Sequence, residues 1–242
     1  MHPAILIILV SMIGPVFGSL IGVLKRPSEK LLYIFLSFTA GVMLAISFIQ
    51  LLPQSIKISS LPIAIIGFGL GAFVMYVMDK LLPHIHPQLG TQEPGHHLKK
   101  TAVFLLTGIF LHNFPEGLAM GIGSVTGFKV SLLIAISLTI HDIPEGIATA
   151  APYYFSSKKR LKSFLLSVST GIPTIIGFLI SYFLFPSIPH PIIGLLIAGT
   201  AGLMVYISAD ELIPTSCFKS TDHWVIFSFM VGVLMVMSLG LL

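Results

Sequence analysis

Long runs without a charged side chain are the feature that most constrains what this chain can fold into. Pro3–Leu24 contains no Asp, Glu, Lys or Arg, and the same holds for Ser163–Ala209. A helix needs about 20 apolar residues to cross the hydrocarbon core of a bilayer. Charged residues are only 9% of the chain, whereas they make up about a quarter of an ordinary soluble domain. A soluble fold would lack the polar residues to cover its surface, so the sequence predicts a polytopic membrane protein.

The apolar runs are predicted to be helices, because they lack the alternation of barrel strands and because backbone groups in lipid must be hydrogen-bonded internally. Pro186, Pro189 and Pro191 divide the longest run, since proline interrupts a helix. The sequence therefore predicts an all-α polytopic membrane protein with eight transmembrane helices in a single domain, residues 1–242. The predicted helices lie at about residues 3–24, 31–53, 61–78, 101–125, 130–155, 163–185, 192–214 and 224–242, with a histidine-containing cytoplasmic loop at 79–100.

The distribution of basic residues predicts the orientation in the membrane. Eight crossings put both termini on one side, and with this threading only Lys57 and Lys129 of the 13 basic residues lie on the same side as the termini. Because cytoplasmic loops carry an excess of Lys and Arg, we expect both termini outside. The basic residues lie in short links between apolar runs, so the net charge of +4 indicates a lipid bilayer rather than a nucleic acid as partner. We expect a multi-pass protein of the plasma membrane.

Two similar stretches, His112–Gly117 and His141–Gly146, place ionisable groups inside predicted membrane helices. Each reads His-x-x-Pro-Glu-Gly, so His112 pairs with Glu116 and His141 pairs with Glu145. Residues four apart lie on one face of a helix. Ionisable groups inside a membrane are costly and usually functional. The repeated pair therefore indicates a functional site within the bilayer.

The residue types in these stretches indicate a metal site. Asn113 and Asp142 lie one step further round each helix, so two facing helices would bring imidazoles, carboxylates and an amide together. Imidazole suits zinc and iron, and carboxylates also suit harder ions such as manganese. Pro115 and Pro144 each remove a helical hydrogen bond, and such interruptions are found around the ion sites of transporters. The structural alternative is a pair of proline-kinked helices whose polar residues only hold the bundle together.

Further candidates lie on other predicted helices and in the loop. Met43 offers a thioether to a metal, although methionine is more often core filler, and Gln50 is a candidate ligand at the rim. Asp210 and Glu211, at the cytoplasmic end of the seventh helix, form either an exit-side relay or an interfacial anchor. The loop histidines either gather metal on the cytoplasmic side or are merely solvated; they are His84, His86, His96 and His97.

With these residues in place, the chain resembles the Zrt/Irt-like (ZIP) divalent-metal transporters, and their bacterial, broad-specificity branch in particular. The resemblance rests on the two motifs on consecutive helices, and on Ser37–Leu44 and Tyr206–Pro214. It implies transport of Zn²⁺ into the cytoplasm, with Fe²⁺, Mn²⁺, Co²⁺ and Cd²⁺ as further substrates and no cofactor. It also implies a 3+2+3 arrangement in which helices one to three and six to eight are inverted repeats and the metal lies between helices 2, 4 and 5. A homodimer is an open alternative to a monomer.

The resemblance also implies a two-metal site. One metal would be bound by five side chains, namely Met43, His112, Glu116, His141 and Glu145. The second would be bound by Asn113 and Asp142 and would share the two glutamates. The family commonly adds a glutamate just before a proline in helix six, where this chain has Ile172 before Pro173. An apolar side chain cannot replace that ligand, so we expect a site better furnished for one metal than for two.

Two other functions use the same ligands. An intramembrane metalloenzyme is the main alternative, but the zinc-protease pattern H-E-x-x-H and the di-metal pattern Glu-x-x-His are both absent from the two stretches. A passive metal channel would differ in whether flux saturates. The sequence thus favours a transporter and predicts that the chain is not an enzyme.

Overall fold

The computed structural model describes residues 2–25, 27–81, 113–217 and 223–240, and all regular secondary structure in these ranges is helical. Six helical stretches in them are long and apolar enough to cross a membrane, which confirms the prediction of an all-helical polytopic membrane protein. These stretches are Pro3–Leu24, Lys30–Ile58, Leu61–Lys80, Phe128–Ala151, Arg160–Ser187 and His190–Cys217. The apolar part of the last helix is shorter, His223–Leu239.

The first half of the described chain begins with α1 (Pro3–Leu24), α2 (Glu29–Ala45), a π-helical segment π1 (Ile46–Leu51), α3 (Leu52–Ile58) and α4 (Leu61–Leu81). The N-terminus of α2 is capped, because Ser28 Oγ accepts the N–H of Leu31 at 3.2 Å. α4 is longer than the predicted helix, so Asp79 lies in its last turn and not in the loop that was expected to begin there.

The second half begins with α5, residues 113–120, which lies within the predicted fourth helix; that helix was predicted to continue to residue 125, but a turn at residues 121–122 ends α5. It continues with α6 (Gly123–Thr126), α7 (Phe128–Ser157), α8 (Arg160–Ser169), α9 (Ile172–Leu184), α10 (His190–Ile207), a second π-helical segment π2 (Ser208–Leu212), α11 (Ile213–Cys217) and α12 (His223–Gly240). α7 ends where Lys158 adopts a left-handed conformation with φ 58°.

The predicted sixth helix is interrupted. α8 ends at Ser169 and α9 begins at Ile172, with Pro173 in its first turn. A proline disfavours helical conformation at the preceding residue and has no N–H to continue the ladder, but it is well tolerated in the first turn of a new helix. The break therefore falls where the sequence places the proline, although the uniform hydropathy of this run conceals it.

The helices pack in pairs. α1 lies along α7, α2 along α12, and α4 along α10. Small residues allow the backbones to approach: a Cβ at Gly18 would overlap the carbonyl oxygen of Ile143, and one at Gly71 would overlap that of Gly199. Close backbone contact of this kind is typical of membrane helices. α2 also contacts α7, which brings the second predicted helix next to the second motif.

Candidate metal site

Two neighbouring helices bring three ionisable side chains together inside the bundle. Glu116 on α5 and His141 and Asp142 on α7 each offer a ligand atom, and these atoms all lie within 4.8 Å of one another. The His141 Nε2 atom is 3.0 Å from Glu116 Oε1 and 3.3 Å from Asp142 Oδ1. Glu116 and His141 have no exposed surface, and Asp142 is 3% exposed. Such a cluster of carboxylates and imidazole at a buried position could hold a metal ion.

Hydrogen bonds between helices fix the two elements that carry this cluster. On α7, Thr139 Oγ1 donates to the Val10 carbonyl of α1 at 2.8 Å. On α5, Asn113 Nδ2 donates to the Thr170 carbonyl, in the break between α8 and α9, at 2.7 Å. Pro144 lies within α7, which nevertheless continues to Ser157. The local sequence thus anchors each motif to a neighbouring helix.

Several acceptor atoms around the cluster are buried without a hydrogen-bond partner among the described residues. They are Asn113 Oδ1, His141 Nδ1, and Oε1 and Oε2 of Glu145. Asn113 lies close enough to interact with Glu145, but without satisfying its carboxylate oxygens. A buried polar atom without a partner costs about 1–3 kcal/mol. Several acceptors gathered in one place are what a cation would satisfy.

Met43 is fully buried on α2, which contacts α7. Its Sδ atom lies 3.8 Å from Ser208 Oγ, at the start of π2. It also belongs to the apolar core of the bundle. The residue therefore packs between the second and seventh predicted helices.

The remaining described candidates lie in the two π-helical segments. Gln50 is in π1, and its Oε1 atom is buried without a partner among the described residues. Asp210 and Glu211 are in π2, and both are exposed. Glu211 lies near enough to Glu145 for their charges to interact. Glu211 therefore lies between Glu145 and the solvent-exposed surface of the bundle only in the sense that its charge reaches Glu145 while its own side chain is exposed.

One polar residue near this end was missed from the sequence. Asp79 Oδ2 accepts the hydroxyl of Tyr206 at 3.4 Å, and Asp210 is close enough to Tyr206 to interact with it. The signal that could have found Asp79 is its place in the last turn of an otherwise apolar helix, beside Lys80. The sequence predicts a loop from residue 79 onward, whereas the structure places Asp79 within α4.

Five of the candidate residues lie outside the described residues. They are His112 of the first motif and the loop histidines His84, His86, His96 and His97. The position where the resemblance implies a glutamate is described. Ile172 opens α9 and its side chain is 48% exposed. The nearby contact from this region to the site is the Thr170 carbonyl, which accepts from Asn113.

Comparison with known proteins gives a consistent result over the whole chain. A family model described as "ZIP Zinc transporter" matches residues 3–102 and 88–240. A protein named zinc transporter ZupT from Chlorobium phaeovibrioides is 33% identical over 261 aligned residues, which cover 100% of this chain and 98% of that protein. ZupT from an Escherichia coli O127:H6 strain is 34% identical over 206 residues, which cover 81% of this chain and 80% of the relative.

Proposed function

Because the chain belongs to the ZIP family, we propose that it transports Zn²⁺ across the membrane into the cytoplasm. Members of this family are membrane transporters and not enzymes, so the metalloenzyme alternative is set aside. The relatives named as zinc transporters support zinc as the substrate. The observation that carries the proposal is the buried cluster of Glu116, His141 and Asp142. Burying such charges is costly without compensation, and a divalent cation supplies it.

The proposed ligands of the transported ion come from three helices. Glu116, His141 and Glu145 bind it first, with His112 and Met43 completing the set. Asn113 and Asp142 lie beside these groups and take part as the ion enters or leaves. The clustering of Glu116, His141 and Asp142 and the orphaned oxygens of Glu145 support this set. Because Ile172 offers no ligand atom, we expect one zinc ion per chain.

The substrate range follows from the mixed donor set. Imidazole, carboxylate and thioether together impose no strict preference among first-row divalent cations, whose intrinsic affinities follow the Irving–Williams order. Fe²⁺, Mn²⁺ and Co²⁺ are therefore proposed as weaker substrates, and Cd²⁺, a softer second-row ion that a thioether suits, is proposed as a further substrate. Competition by each ion against ⁶⁵Zn²⁺ uptake would rank them, and an uptake that none of them reduces would restrict the substrate to zinc.

We also propose the full architecture expected from the sequence. It comprises eight transmembrane helices arranged 3+2+3, with the ion bound between helices 2, 4 and 5, a cytoplasmic histidine-containing loop at 79–100, and both termini outside the plasma membrane. Six apolar spanning stretches, the helical residues 113–120 and the apolar His223–Leu239 support the number eight. A homodimer remains a proposal that cross-linking in native membranes tests.

The transport path runs through the cluster to the carboxylates of π2. An ion from outside exchanges its water shell for the imidazole and carboxylates in the bundle. It then passes from Glu145 to Glu211, whose charges interact, and on to Asp210 near the exposed end. Histidines of the 79–100 loop receive it on the cytoplasmic side.

The test is zinc uptake into proteoliposomes with the double variant Glu116→Ala/Glu145→Ala. We expect uptake to fall to the level of empty liposomes, while Glu29→Ala, a carboxylate substitution at the first residue of α2, keeps wild-type uptake. Equal zinc accumulation by the double variant and the wild type would overturn the proposal.

A further inference from the structure

The second and seventh predicted helices contain the same sequence pattern. Residues 39–55 and 200–216 both read T-A-G-x-M-x-x-I-S-x-x-x-L-x-P-x-S. The pattern covers the end of α2, π1 and the start of α3 in one copy, and the end of α10, π2 and the start of α11 in the other. In this alignment, Met43 corresponds to Met204, Ser47 to Ser208, and Gln50 to Glu211.

The two copies also have the same local structure. Ser47 Oγ donates to the Met43 carbonyl at 2.8 Å, and Ser208 Oγ donates to the Met204 carbonyl at 2.8 Å. The backbone carbonyls of Ser47 and Ser208 each accept a hydrogen bond from the N–H group five residues further along, in Leu52 and Ile213 respectively. This five-residue spacing is the one that defines a π-helix. π-helical turns are rare and are often found at functional sites. Two of them at matching positions therefore mark an internal structural repeat.

The copies run in opposite directions and are related by an approximate two-fold axis. Met43 contacts Ser208 at 3.8 Å, and Ser55 Oγ donates to the Gly194 carbonyl at 2.7 Å. The later residue of one copy thus meets the earlier residue of the other, so the two helical copies are antiparallel. The helix pairs obey the same relation. α1 with α7 corresponds to α9 with α5, whose glycines Gly117 and Gly177 are in mutual backbone contact, and α4 with α10 corresponds to α12 with α2.

This two-fold relation assigns counterparts to the residues of the transport path. It exchanges α5 with α7, and therefore Glu116 with Glu145, and it exchanges Gln50 with Glu211. Glu211 lies near Glu145 on the inner half of the path. Gln50 then takes the same position toward Glu116 on the outer half. Met43 and Ser208 lie at the same level of two antiparallel helices. Gln50 follows Met43 in one direction and Glu211 follows Ser208 in the other, so at a rise of 1.5 Å per residue they lie about 15 Å apart along the bundle.

The two counterparts differ in exposure. Glu211 is exposed, whereas the Oε1 atom of Gln50 is buried without a partner among the described residues. A buried amide oxygen without a hydrogen bond is costly, so a partner for this oxygen would stabilise the state of the protein in which it is bound. A divalent cation passing Gln50 would satisfy this oxygen, because an amide oxygen can bind a metal ion. The amide is uncharged, so it binds the ion only weakly. We propose that Gln50 is the outer hand-over ligand for the transported cation. By this we mean that Gln50 binds the ion on its way from the outside to the central cluster, as Glu211 binds it on its way from the cluster to the inside. The proposal rests on the zinc transport proposed above.

The chemical difference between the counterparts predicts how substitutions act. A neutral amide holds the ion less tightly than a carboxylate does, so Gln50→Leu removes a ligand and Gln50→Glu strengthens it. We expect Gln50→Leu to raise the KM for zinc uptake from the outside about tenfold, the factor that corresponds to about 1.4 kcal/mol of binding free energy. Gln50→Glu should lower the KM. Gln54→Leu is the matched control, because Gln54 lies one turn further along the same helix, and it should leave the KM unchanged.

Accessibility gives a second readout that does not depend on activity of the Leu variant. Cys217 is the single cysteine of the chain, so Cys217→Ser provides a cysteine-free background. In that background Gln50→Cys should react with a membrane-impermeant thiol reagent added outside, and Zn²⁺ should slow the reaction. Gln54→Cys should show no zinc protection.

The possible outcomes separate this inference from the proposed function. If the wild-type protein moves no zinc, the proposed function fails. If the wild type moves zinc while Gln50→Leu and Gln54→Leu have the same KM, and zinc leaves Gln50→Cys labelling unchanged, the hand-over role of Gln50 is overturned and the proposed function stands. A raised KM for Gln50→Leu together with zinc protection of Gln50→Cys supports the role.

Discussion

The imidazole Nε2 of His141 lies 3.0 Å from Oε1 of Glu116, across the contact between α7 and α5, and neither side chain has exposed surface. A third group, Asp142, lies beside them at 3.3 Å from the same nitrogen. In the proposed function these atoms exchange their mutual contact for bonds to the transported ion. The imidazole is the softest donor of the three and the one that most favours zinc.

Replacement of His141 should therefore weaken zinc binding strongly. Glutamine fills a similar volume and stays polar but offers no imidazole nitrogen, so His141→Gln should lower the zinc affinity of the purified protein at least about tenfold, or about 1.4 kcal/mol. Isothermal titration calorimetry in detergent measures the affinity. His190→Gln is the matched control, because His190 is exposed at the start of α10. Equal affinities of the two variants would exclude His141 as a ligand.

The packing of α4 on α10 depends on a glycine without room for a side chain. A Cβ at Gly71 would overlap the backbone of Gly199, whereas a Cβ at Gly69 in the same helix meets nothing within 4 Å. Gly71→Ala should therefore destabilise the protein by about 1–3 kcal/mol, the usual cost of overpacking. Gly69→Ala should be neutral or slightly stabilising, since alanine is the better helix former. Thermal unfolding in detergent, followed by circular dichroism, compares them, and a similar Tm for both variants would contradict this packing.

A chain of buried hydroxyls joins three helices below the cluster. Ser19 Oγ on α1 donates to Ser167 Oγ on α8 at 2.7 Å, and Ser167 Oγ also contacts Thr149 Oγ1 on α7 at 2.5 Å. Ser167→Ala removes the acceptor of the buried Ser19 hydroxyl, whereas Thr149 Oγ1 keeps its hydrogen bonds to the carbonyls of Glu145 and Gly146. We therefore expect a loss of about 1–3 kcal/mol in the free energy of unfolding, the cost of one buried hydroxyl without a partner. Ser187→Ala, at an exposed serine that bonds only its own turn at Leu184, should change stability by less than about 0.5 kcal/mol. A Ser167→Ala variant as stable as Ser187→Ala would show that the hydroxyl chain contributes nothing.

Much of the fold follows from the sequence because the bilayer limits the possible structures. Uncharged runs must be helices in lipid, and the first predicted helix, residues 3–24, matches Pro3–Leu24 in the structure. The motif spacing predicts that Glu116 and His141 come together if their two helices face each other, and in the structure these side chains are 3.0 Å apart. Both results depend on periodicity and hydropathy, which are properties of the sequence itself.

The features that the sequence did not predict depend on contacts between distant segments. The π-helical segments π1 and π2 leave the hydropathy of their helices unchanged. The break before Ile172 was hidden in a uniformly apolar run, although Pro173 marks its place. The bond from Asn113 to the Thr170 carbonyl joins two helices, and no local pattern reports it. Asp79 lies in α4 and not in the predicted loop, because a charged residue at a helix end has the same sequence signal as one in a loop.

The single cysteine tests the predicted orientation directly. Cys217 is exposed at the end of α11, and the threading with both termini outside puts it on the cytoplasmic side. A membrane-impermeant maleimide should therefore label it only after right-side-out vesicles are permeabilised. In the Cys217→Ser background, Lys57→Cys, at an exposed position near the end of α3, should be labelled in sealed vesicles. Because Lys57 and Cys217 lie on opposite sides in any threading with the same helices, the reverse pattern would mean that the protein is inserted with its termini inside.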